Sequence, residues 1–175
     1  MTQTWQVHGE RTLYRDDWIH LVMADVALPD GRRLEHRLVR YFDGAQAVVT
    51  DAGKILLLWR YRFIPGTWGW EIPGGAVNVG EDPATAAARE VEEETGWRPD
   101  GPMRLLFRTH PMPGLVSVRH HVFRADSAVY TGPPTDGFEA QRVAWVPFGE
   151  ARCLIAQGHI VEATTLAAVL SVLGP

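Results

Sequence analysis

Through the first third of the chain, short runs rich in apolar residues are separated by polar turn sequences, which is the pattern of β structure. Two turn sequences, Pro29-Asp30-Gly31 and Asp51-Ala52-Gly53, each separate two such runs, so two β-hairpins are predicted. In the second hairpin, residues 55–58 are all apolar, which indicates a strand buried on both faces. The predicted strands cover residues 11–14, 18–28, 34–41, 47–50 and 54–61.

A helix is predicted over residues 83–95. Asp82 is a good N-cap, Pro83 suits the first helical position, and Gly96 can end the helix in a left-handed conformation. Beyond this helix, apolar periodicity predicts further strands and two C-terminal helices. These strands cover residues 103–109, 120–125 and 142–146, and the helices cover residues 148–156 and 162–173.

The predicted helix carries four glutamates within residues 90–94. Like charges three or four residues apart destabilise a helix by about 0.2–0.5 kcal/mol per pair, so the cluster calls for a cation or for full hydration. Small residues form one narrow stripe that faces the sheet, with Ala86 outside it. Three glutamates flank this stripe, Glu90, Glu93 and Glu94, and their carboxylates can converge on one hard cation. Glu92 points into solvent. The alternative is a solvated helix face without a ligand.

From Gly75 to Trp97 the chain reads Gly75-x5-Glu81-x7-Arg89-Glu90-Val91-x-Glu93-Glu94-x-Gly96-Trp97. This run resembles the complete signature of the Nudix hydrolase family and matches it at every defined position. The resemblance implies an α/β fold, the Nudix-type α/β/α sandwich with a mixed sheet. It also implies hydrolysis of a nucleoside diphosphate linked to another group, with Mg²⁺ or Mn²⁺ as the cofactor.

The resemblance also assigns roles to individual residues. Three glutamates are expected to be metal ligands and part of the catalytic site, namely Glu90, Glu93 and Glu94, and the backbone carbonyl of Gly74 is expected to add a ligand. Glu81 and Arg89 are expected to form a structural ion pair that holds the loop against the helix. A side chain at Gly74 or Gly75 would obstruct the close approach of the backbone that such a site needs.

Composition is that of a globular protein, with 175 residues of which 46% are hydrophobic. The net charge of −4 argues against bulk nucleic-acid binding. We expect no membrane partner and a cytoplasmic location, because the chain begins without a basic and apolar leader and contains no apolar run of membrane-spanning length. Cys153, the single cysteine, lies in a predicted helix and is expected to be buried.

The first 45 residues exceed a minimal Nudix domain. We therefore divide the chain into an N-terminal antiparallel β arm, residues 1–45, and a Nudix hydrolase domain, residues 46–175. Segments 59–62, 68–75 and 158–165 resemble those of ADP-ribose pyrophosphatases and related nucleotide-sugar hydrolases. Pro113 matches the proline associated with ADP-ribose specificity in that group. The resemblance implies a small-molecule nucleotide substrate and a homodimer assembled through the arm.

Several side chains near the signature are candidates for binding the substrate. Trp68 and Trp70 can stack on a base, although packing in the sheet or in a dimer interface is an equal alternative for each. Arg60 or Arg62 can contact phosphate or pair with Glu71. We favour the pocket for Arg62, because an arginine at the exit of a buried strand is hard to explain by packing.

The identity of the general base is open. ADP-ribose enzymes commonly place a glutamate a few residues after a Pro-Gly pair, but no acid follows Pro113 in the next seven positions. His120 or His121 can replace it, because imidazole titrates near neutral pH, and strand alternation allows only one of them to face the site. Glu139 and Glu93 are the other candidates.

Two further functions remain open from the sequence. One is a Nudix hydrolase of dinucleoside polyphosphates or nucleoside triphosphates. The other is a catalytically weak nucleotide-sensing module, although a binding module has no need of all three ligand glutamates.

Overall fold

A computed structural model describes residues 4–135 and 140–174 of the chain. It contains three helices in this part, α1 (Pro83–Thr95), α2 (Phe148–Ala156) and α3 (Ala163–Leu173). The strands are β1 (Gln6–Arg15), β2 (His20–Ala27), β3 (Arg33–Arg40), β4 (Gly44–Asp51), β5 (Lys54–Arg62), β6 (Thr67–Glu71), β7 (Gly74–Ala76), β8 (Trp97–Pro99), β9 (Arg104–Thr109), β10 (Val116–Ser117), β11 (His120–Ala125), β12 (Ala128–Tyr130) and β13 (Arg142–Pro147).

The chain divides into two compact units, and the larger one comprises residues 43–109 and 120–175. Its main sheet has the strand order β13-β5-β4-β11-β9, with β6 paired to β5 and β7 paired to β4. The β4–β11 pair is parallel, whereas the other pairs in this order are antiparallel. The sheet is therefore mixed, as the sequence predicts.

Both faces of this sheet are covered by helices. Leu56 and Leu57 are adjacent on β5 and point to opposite faces, yet each is fully buried. Leu57 packs in a cluster with α2 and α3 residues, while Leu56 packs with α1 residues including Val91. A β-strand buried on both sides explains the uninterrupted apolar run at residues 55–58. The larger unit is an α/β/α sandwich.

The smaller unit comprises residues 1–42 and 110–119. Strands β1, β2 and β3 form an antiparallel meander, and β10 adds in parallel beside β3. The sequence-based division places residues 110–119 in the hydrolase domain, whereas this segment packs with the N-terminal strands here. Every residue of the edge strand β1 is exposed, including Tyr14.

Helix α1 has the predicted bounds, and its ends show why. The Asp82 side chain accepts hydrogen bonds from the N–H groups of Ala84 and Thr85, and Gly96 ends the helix at φ 74°. The prediction that Ala86 lies outside the packed stripe is wrong, because Ala86 is fully buried in the core. The packed face of the helix is wider than a single stripe of small residues.

Five short strands, β6, β7, β8, β10 and β12, were not predicted, because two to five residues are too few to show an alternation. Cys153 is exposed rather than buried, so that expectation is also wrong. Within the described residues, no helix has the length and apolar character needed to cross a membrane.

Gly96 is the position where the fold depends most on a missing side chain. A Cβ there would lie 1.9 Å from the carbonyl oxygen of Gly132, and the backbone is left-handed. We expect Gly96→Ala to lower the free energy of unfolding by more than about 2 kcal/mol, because it adds a backbone clash to the left-handed cost. Denaturant unfolding measures the change.

Gly53→Ala is the matched control, since Gly53 has φ 76° but no atom within 4 Å of the added Cβ. It should cost only about 1 kcal/mol, the left-handed term alone. Equal losses for the two variants would contradict the role of the Gly132 contact.

Candidate active site

The glycine loop before α1 runs between two carboxylates of the helix. The Gly74 N–H donates to Glu94 Oε2 at 2.8 Å. A Cβ on Gly75 would lie 2.5 Å from the carboxylate of Glu90, and one on Gly74 would lie 2.5 Å from the Ala45 carbonyl oxygen. The two glycines therefore allow backbone and carboxylates to meet at distances that any side chain would prevent.

Arg89 joins the other carboxylates of the signature. Its Nη1 donates to Glu90 Oε1 and to Glu93 Oε2, each at 2.8 Å. Its Nε and Nη2 donate to the two oxygens of Glu81 at 3.0 and 3.1 Å. The hydrogen bond from Arg89 lowers the pKa of Glu81, and the same bond raises the pKa of Arg89. Arg89 remains positively charged at any working pH.

Glu94 is held by a different cation. Its Oε1 accepts from Arg60 Nη2 at 2.7 Å, and both side chains are 2% exposed. Arg60 Nε also lies 3.9 Å from Glu71 Oε2, and Glu71 in turn binds Arg62 at 2.7 Å. Arg62 is half exposed, so the network runs from the buried core to the surface. Its ionic contacts lead from Glu94 through Arg60 and Glu71 to Arg62.

The carboxylates are suited to a hard divalent cation. Glu90 and Glu93 already direct one oxygen each at a single positively charged atom, Arg89 Nη1, and carboxylate oxygens are the ligands that Mg²⁺ and Mn²⁺ prefer. Within residues 4–135 and 140–174, no three acidic, histidine or cysteine side chains are gathered as a ready metal-binding group. Glu94 also pairs with the buried Arg60 of the central sheet.

The two candidate stacking tryptophans lie in different environments. Trp70 is 8% exposed and belongs to the hydrophobic core, with the guanidinium of Arg142 5.5 Å from its ring centroid. Its position favours the packing alternative over stacking on a base. Trp68 is 44% exposed and stacks on Trp59 at 5.9 Å between ring centroids, so part of its surface remains accessible.

The two histidines of β11 differ in the same way. His121 is buried, accepts a hydrogen bond from Arg108 Nε at 3.3 Å and lies 3.3 Å from Asp43 Oδ2, so both ring nitrogens are engaged. His120 is half-buried and its Nδ1 lies 3.0 Å from Thr164 Oγ1. Burial lowers the pKa of His120, so its ring is neutral at pH 7.

Two sequence candidates remain, Pro113 and Glu139. Pro113 lies in the smaller unit, in the segment of residues 110–119. Glu139 lies outside the described residues.

A cavity of about 630 Å³ opens in the larger unit, and Arg62, Glu71 and His120 line it. Sequence reasoning did not single out two further lining residues, Gln46 and Glu162. Gln46 is the one polar residue in the otherwise apolar run 45–49, and this was a usable signal. Glu162 gave a weaker signal, since its position identifies it only as the N-cap residue of helix α3.

Two family models match the chain, and together they cover nearly all of it. The model described as "NUDIX domain" matches residues 40–169. The model described as "Nucleoside diphosphate sugar hydrolase N-terminal domain" matches residues 5–39.

Named relatives agree with these matches. A "CMP-5'-(N-acetyl-N-hydroxy-3-aminopropyl)phosphonate hydrolase" of Streptomyces rubellomurinus is 44% identical, over 97% of this chain and 82% of the relative. An "ADP-ribose pyrophosphatase" of Mycobacterium tuberculosis is 32% identical, over 94% of this chain and 81% of the relative. A solved "ADP compounds hydrolase" superposes with a TM-score of 0.82, over 97% of this chain and 92% of the other, at 18% identity. The last match confirms the predicted fold.

The buried ion network generates a stability prediction. Replacing Arg60 by Met should lower the free energy of unfolding by about 3–5 kcal/mol, because it removes the cation that pairs with the buried carboxylate of Glu94. Arg62→Met removes the same charge from a half-exposed position, where a salt bridge contributes about 0–1 kcal/mol. Chemical denaturation of the two variants beside the wild type measures both changes. Similar small losses would show that Arg60 does not hold the network together.

Proposed function

Since this chain belongs to the NUDIX domain family and is a Nudix pyrophosphohydrolase, we propose that its substrate is a nucleoside diphosphate derivative, first of all ADP-ribose or a related nucleotide sugar. The names of the relatives support this choice, since two of them, from Mycobacterium tuberculosis and Bacillus subtilis, are ADP-ribose pyrophosphatases. The N-terminal match to a nucleoside diphosphate sugar hydrolase domain supports the same substrate class.

The observation that carries the proposal is the placement of the carboxylates around the glycine loop. Glu90 lies against Gly75, Glu94 binds Gly74, and Glu93 shares Arg89 with Glu90. These three glutamates, with the Gly74 carbonyl, would hold Mg²⁺ or Mn²⁺. A cation held there would neutralise diphosphate oxygens and would lower the pKa of a water.

The residues of the chain itself supply orientation and charge. Arg60 and the Gly74 N–H each bind one oxygen of Glu94, which fixes the orientation of its carboxylate. Arg89 lies between Glu90 and Glu93 and forms ion pairs with both of them and with Glu81. Arg62 presents a half-exposed guanidinium at the cavity, where it can bind a phosphate oxygen while it also pairs with Glu71.

The proton acceptor is proposed from the positions of the candidates. His121 has both nitrogens engaged, which argues against it, whereas His120 is neutral and borders the cavity. A neutral imidazole can accept a proton or a hydrogen bond. Glu93, which is 37% exposed in its side chain, is the other described candidate. Glu139 stays a candidate from the sequence alone.

A second substrate is favoured by one specific finding. The relative with 44% identity is named as a hydrolase of a CMP phosphonate. A nucleotide joined to a phosphonate contains the same P–O–P linkage, so the same carboxylates can serve it, and only the groups at the two ends differ. We propose such CMP-linked compounds as the alternative substrate class.

A substrate panel tests both proposals. The full chain is incubated with Mg²⁺ and ADP-ribose, ADP-glucose, GDP-mannose, a CMP-phosphonate anhydride, a dinucleoside polyphosphate and ATP, and the products are separated by chromatography. Fastest cleavage of ADP-ribose or a nucleotide sugar to a nucleoside monophosphate and a sugar phosphate supports the first proposal. Fastest cleavage of the CMP compound supports the alternative, and preference for ATP or the polyphosphate rejects both.

Glu93→Gln tests the carboxylate assignment with little change of shape. We expect the turnover number to fall by a hundredfold or more, about 3 kcal/mol of transition-state stabilisation, because a cation ligand is lost. Glu92→Gln makes the same change one residue away, where no role in the site is assigned, and should be nearly silent. Steady-state kinetics of the two folded variants measure both turnover numbers. Full activity of Glu93→Gln would contradict the assignment of Glu93 to the site.

We also propose that the smaller unit mediates a homodimer, and that the protein acts in the cytoplasm. The edge strand β1 leaves large apolar side chains exposed, among them Val7 at 61% and Tyr14 at 52%. Trp5 at 59% and Trp18 at 66% lie beside its two ends. Exposed edge strands with apolar side chains are surfaces on which a second chain can pair.

Light scattering of the full chain at micromolar concentration should give twice the monomer mass of 19.5 kDa. Trp18→Lys should shift the equilibrium toward the monomer, because it places charge in the proposed interface. Val129→Lys, at a 51% exposed position of the larger unit, is the control and should leave the mass unchanged. A wild-type mass of about 19.5 kDa would reject the dimer.

A further inference from the structure

The cavity of the larger unit is built for an uncharged group. Among the described residues, its ionic lining consists of Arg62, Glu71 and Glu162, with an excess of one negative charge. His120 adds no positive charge at pH 7, because burial lowers its pKa. Apolar side chains such as Tyr61 and Val161 complete the wall. The lining therefore carries no excess of positive charge for a further phosphate group, whereas a ring with apolar faces and polar edges is accommodated.

The cavity adjoins the carboxylate site. Gln46 lines the cavity and pairs with Gly74 across β4 and β7. Its Cγ would lie 2.5 Å from a Cβ on Gly74, so the two residues are in close contact. Glu71, also in the lining, is linked through Arg60 to Glu94. A substrate whose diphosphate lies at the carboxylates would extend its neighbouring group into this cavity.

One side chain of the lining is held in a defined orientation. His120 Nδ1 lies 3.0 Å from the hydroxyl of Thr164, which is buried at the start of α3. Glu162 caps this helix by accepting from the N–H groups of Thr164 and Thr165 at 2.9 and 2.6 Å. The opposite edge of the ring faces Gly44, where a Cβ would approach Cδ2 to 2.9 Å and Nε2 to 3.2 Å. Thr164 thus binds one nitrogen, and Gly44 leaves space at the other.

Gln46 has a polar atom that needs a partner. Its Oε1 is buried and accepts no hydrogen bond from the described residues. Such an atom lowers the stability of the free protein, so a purely structural role does not explain a glutamine at this position of a buried strand. Rotation of the terminal amide exchanges its oxygen and nitrogen, so the side chain can offer either a donor or an acceptor to the cavity.

The geometry points to a specificity site: the cavity takes the uncharged, hydroxyl- or amino-bearing group next to the diphosphate, and His120 and Gln46 form its hydrogen bonds while Thr164 orients His120. This inference rests on the proposed function, because it assigns one part of that substrate to one part of the site. Two parts of a nucleotide sugar have this chemistry, the nucleoside and the sugar.

Binding is measured by calorimetry on the full chain in EDTA, with ADP-ribose, AMP and ribose 5-phosphate as three separate probes. His120→Asn retains a polar atom near the position of Nδ1, and His120→Gln retains a polar atom near the position of Nε2. We expect His120→Asn to weaken ADP-ribose binding about tenfold and His120→Gln to weaken it less than threefold. Only one of the two smaller probes should share the loss, and that probe identifies the group in the cavity.

Gln46→Met keeps the size of the side chain and removes its polar atoms. It should weaken binding of the same probe about fivefold to tenfold. The midpoint of thermal unfolding should stay unchanged or rise, because an unpaired buried oxygen is removed. Gln157→Met makes the same change at an exposed position at the end of α2 and should alter neither quantity. A lowered midpoint with unchanged binding would assign Gln46 a structural role and overturn its part in the site.

Thr164 is tested as a positioning residue. Thr164→Val removes its hydroxyl at nearly constant shape and should reproduce the binding loss and shift the ¹⁵N resonances of the His120 ring. Thr164→Ser retains the hydroxyl and should restore both. A structural role alone would leave the ¹⁵N resonances of the ring unmoved in both variants, and that result would overturn the assignment.

The remaining outcomes are also decisive. Equal weakening of AMP and ribose 5-phosphate by His120→Asn, or no weakening of any probe, overturns the inference, and so does a wild type that binds none of the three. Failure of the proposed function has a different signature. The wild type would then cleave no nucleoside diphosphate derivative with Mg²⁺, whatever its variants bind.

Discussion

The ionic pairing of Arg60 with Glu94 is the interaction on which the site depends. Both side chains are 2% exposed, and an unpaired charge at such a depth costs several kcal/mol. Arg60 belongs to β5 and Glu94 to α1, so the pair links the central sheet to the helix that carries the other glutamates. The second oxygen of Glu94 binds the Gly74 N–H, which brings the glycine loop to the same point. Loop, helix and sheet therefore meet at one carboxylate.

Arginines balance the glutamate cluster of α1. Arg89 serves Glu81, Glu90 and Glu93 together, and Arg60 serves Glu94. The like charges that would destabilise a helix alone are thereby compensated in the folded chain. A divalent cation near Glu90 and Glu93 would compete with Arg89 Nη1 for the same two oxygens. The arrangement holds these carboxylates close together, as a metal site requires.

Some features of the structure were predictable from the sequence because they depend on local patterns. Helix α1 has its predicted ends, since Asp82 and Gly96 act through their own backbone neighbours. The burial of residues 55–58 follows from an uninterrupted apolar run. Other features depend on tertiary packing. The partner of Glu94 is Arg60, 34 residues earlier in the chain, and no sequence spacing indicates that pair. The core position of Trp70 and the grouping of residues 110–119 with the N-terminal strands also arise only when the chain is folded.

The proposed binding of a divalent cation by the α1 carboxylates beside the glycine loop is tested most directly by titrating the protein with Mn²⁺ and recording the electron paramagnetic resonance signal of the free ion. We expect the wild type to remove Mn²⁺ from solution and the Glu90→Gln/Glu93→Gln double variant, shown to be folded, to bind it at least tenfold more weakly. Equal Mn²⁺ binding by the two proteins, or none by the wild type, would contradict the claim.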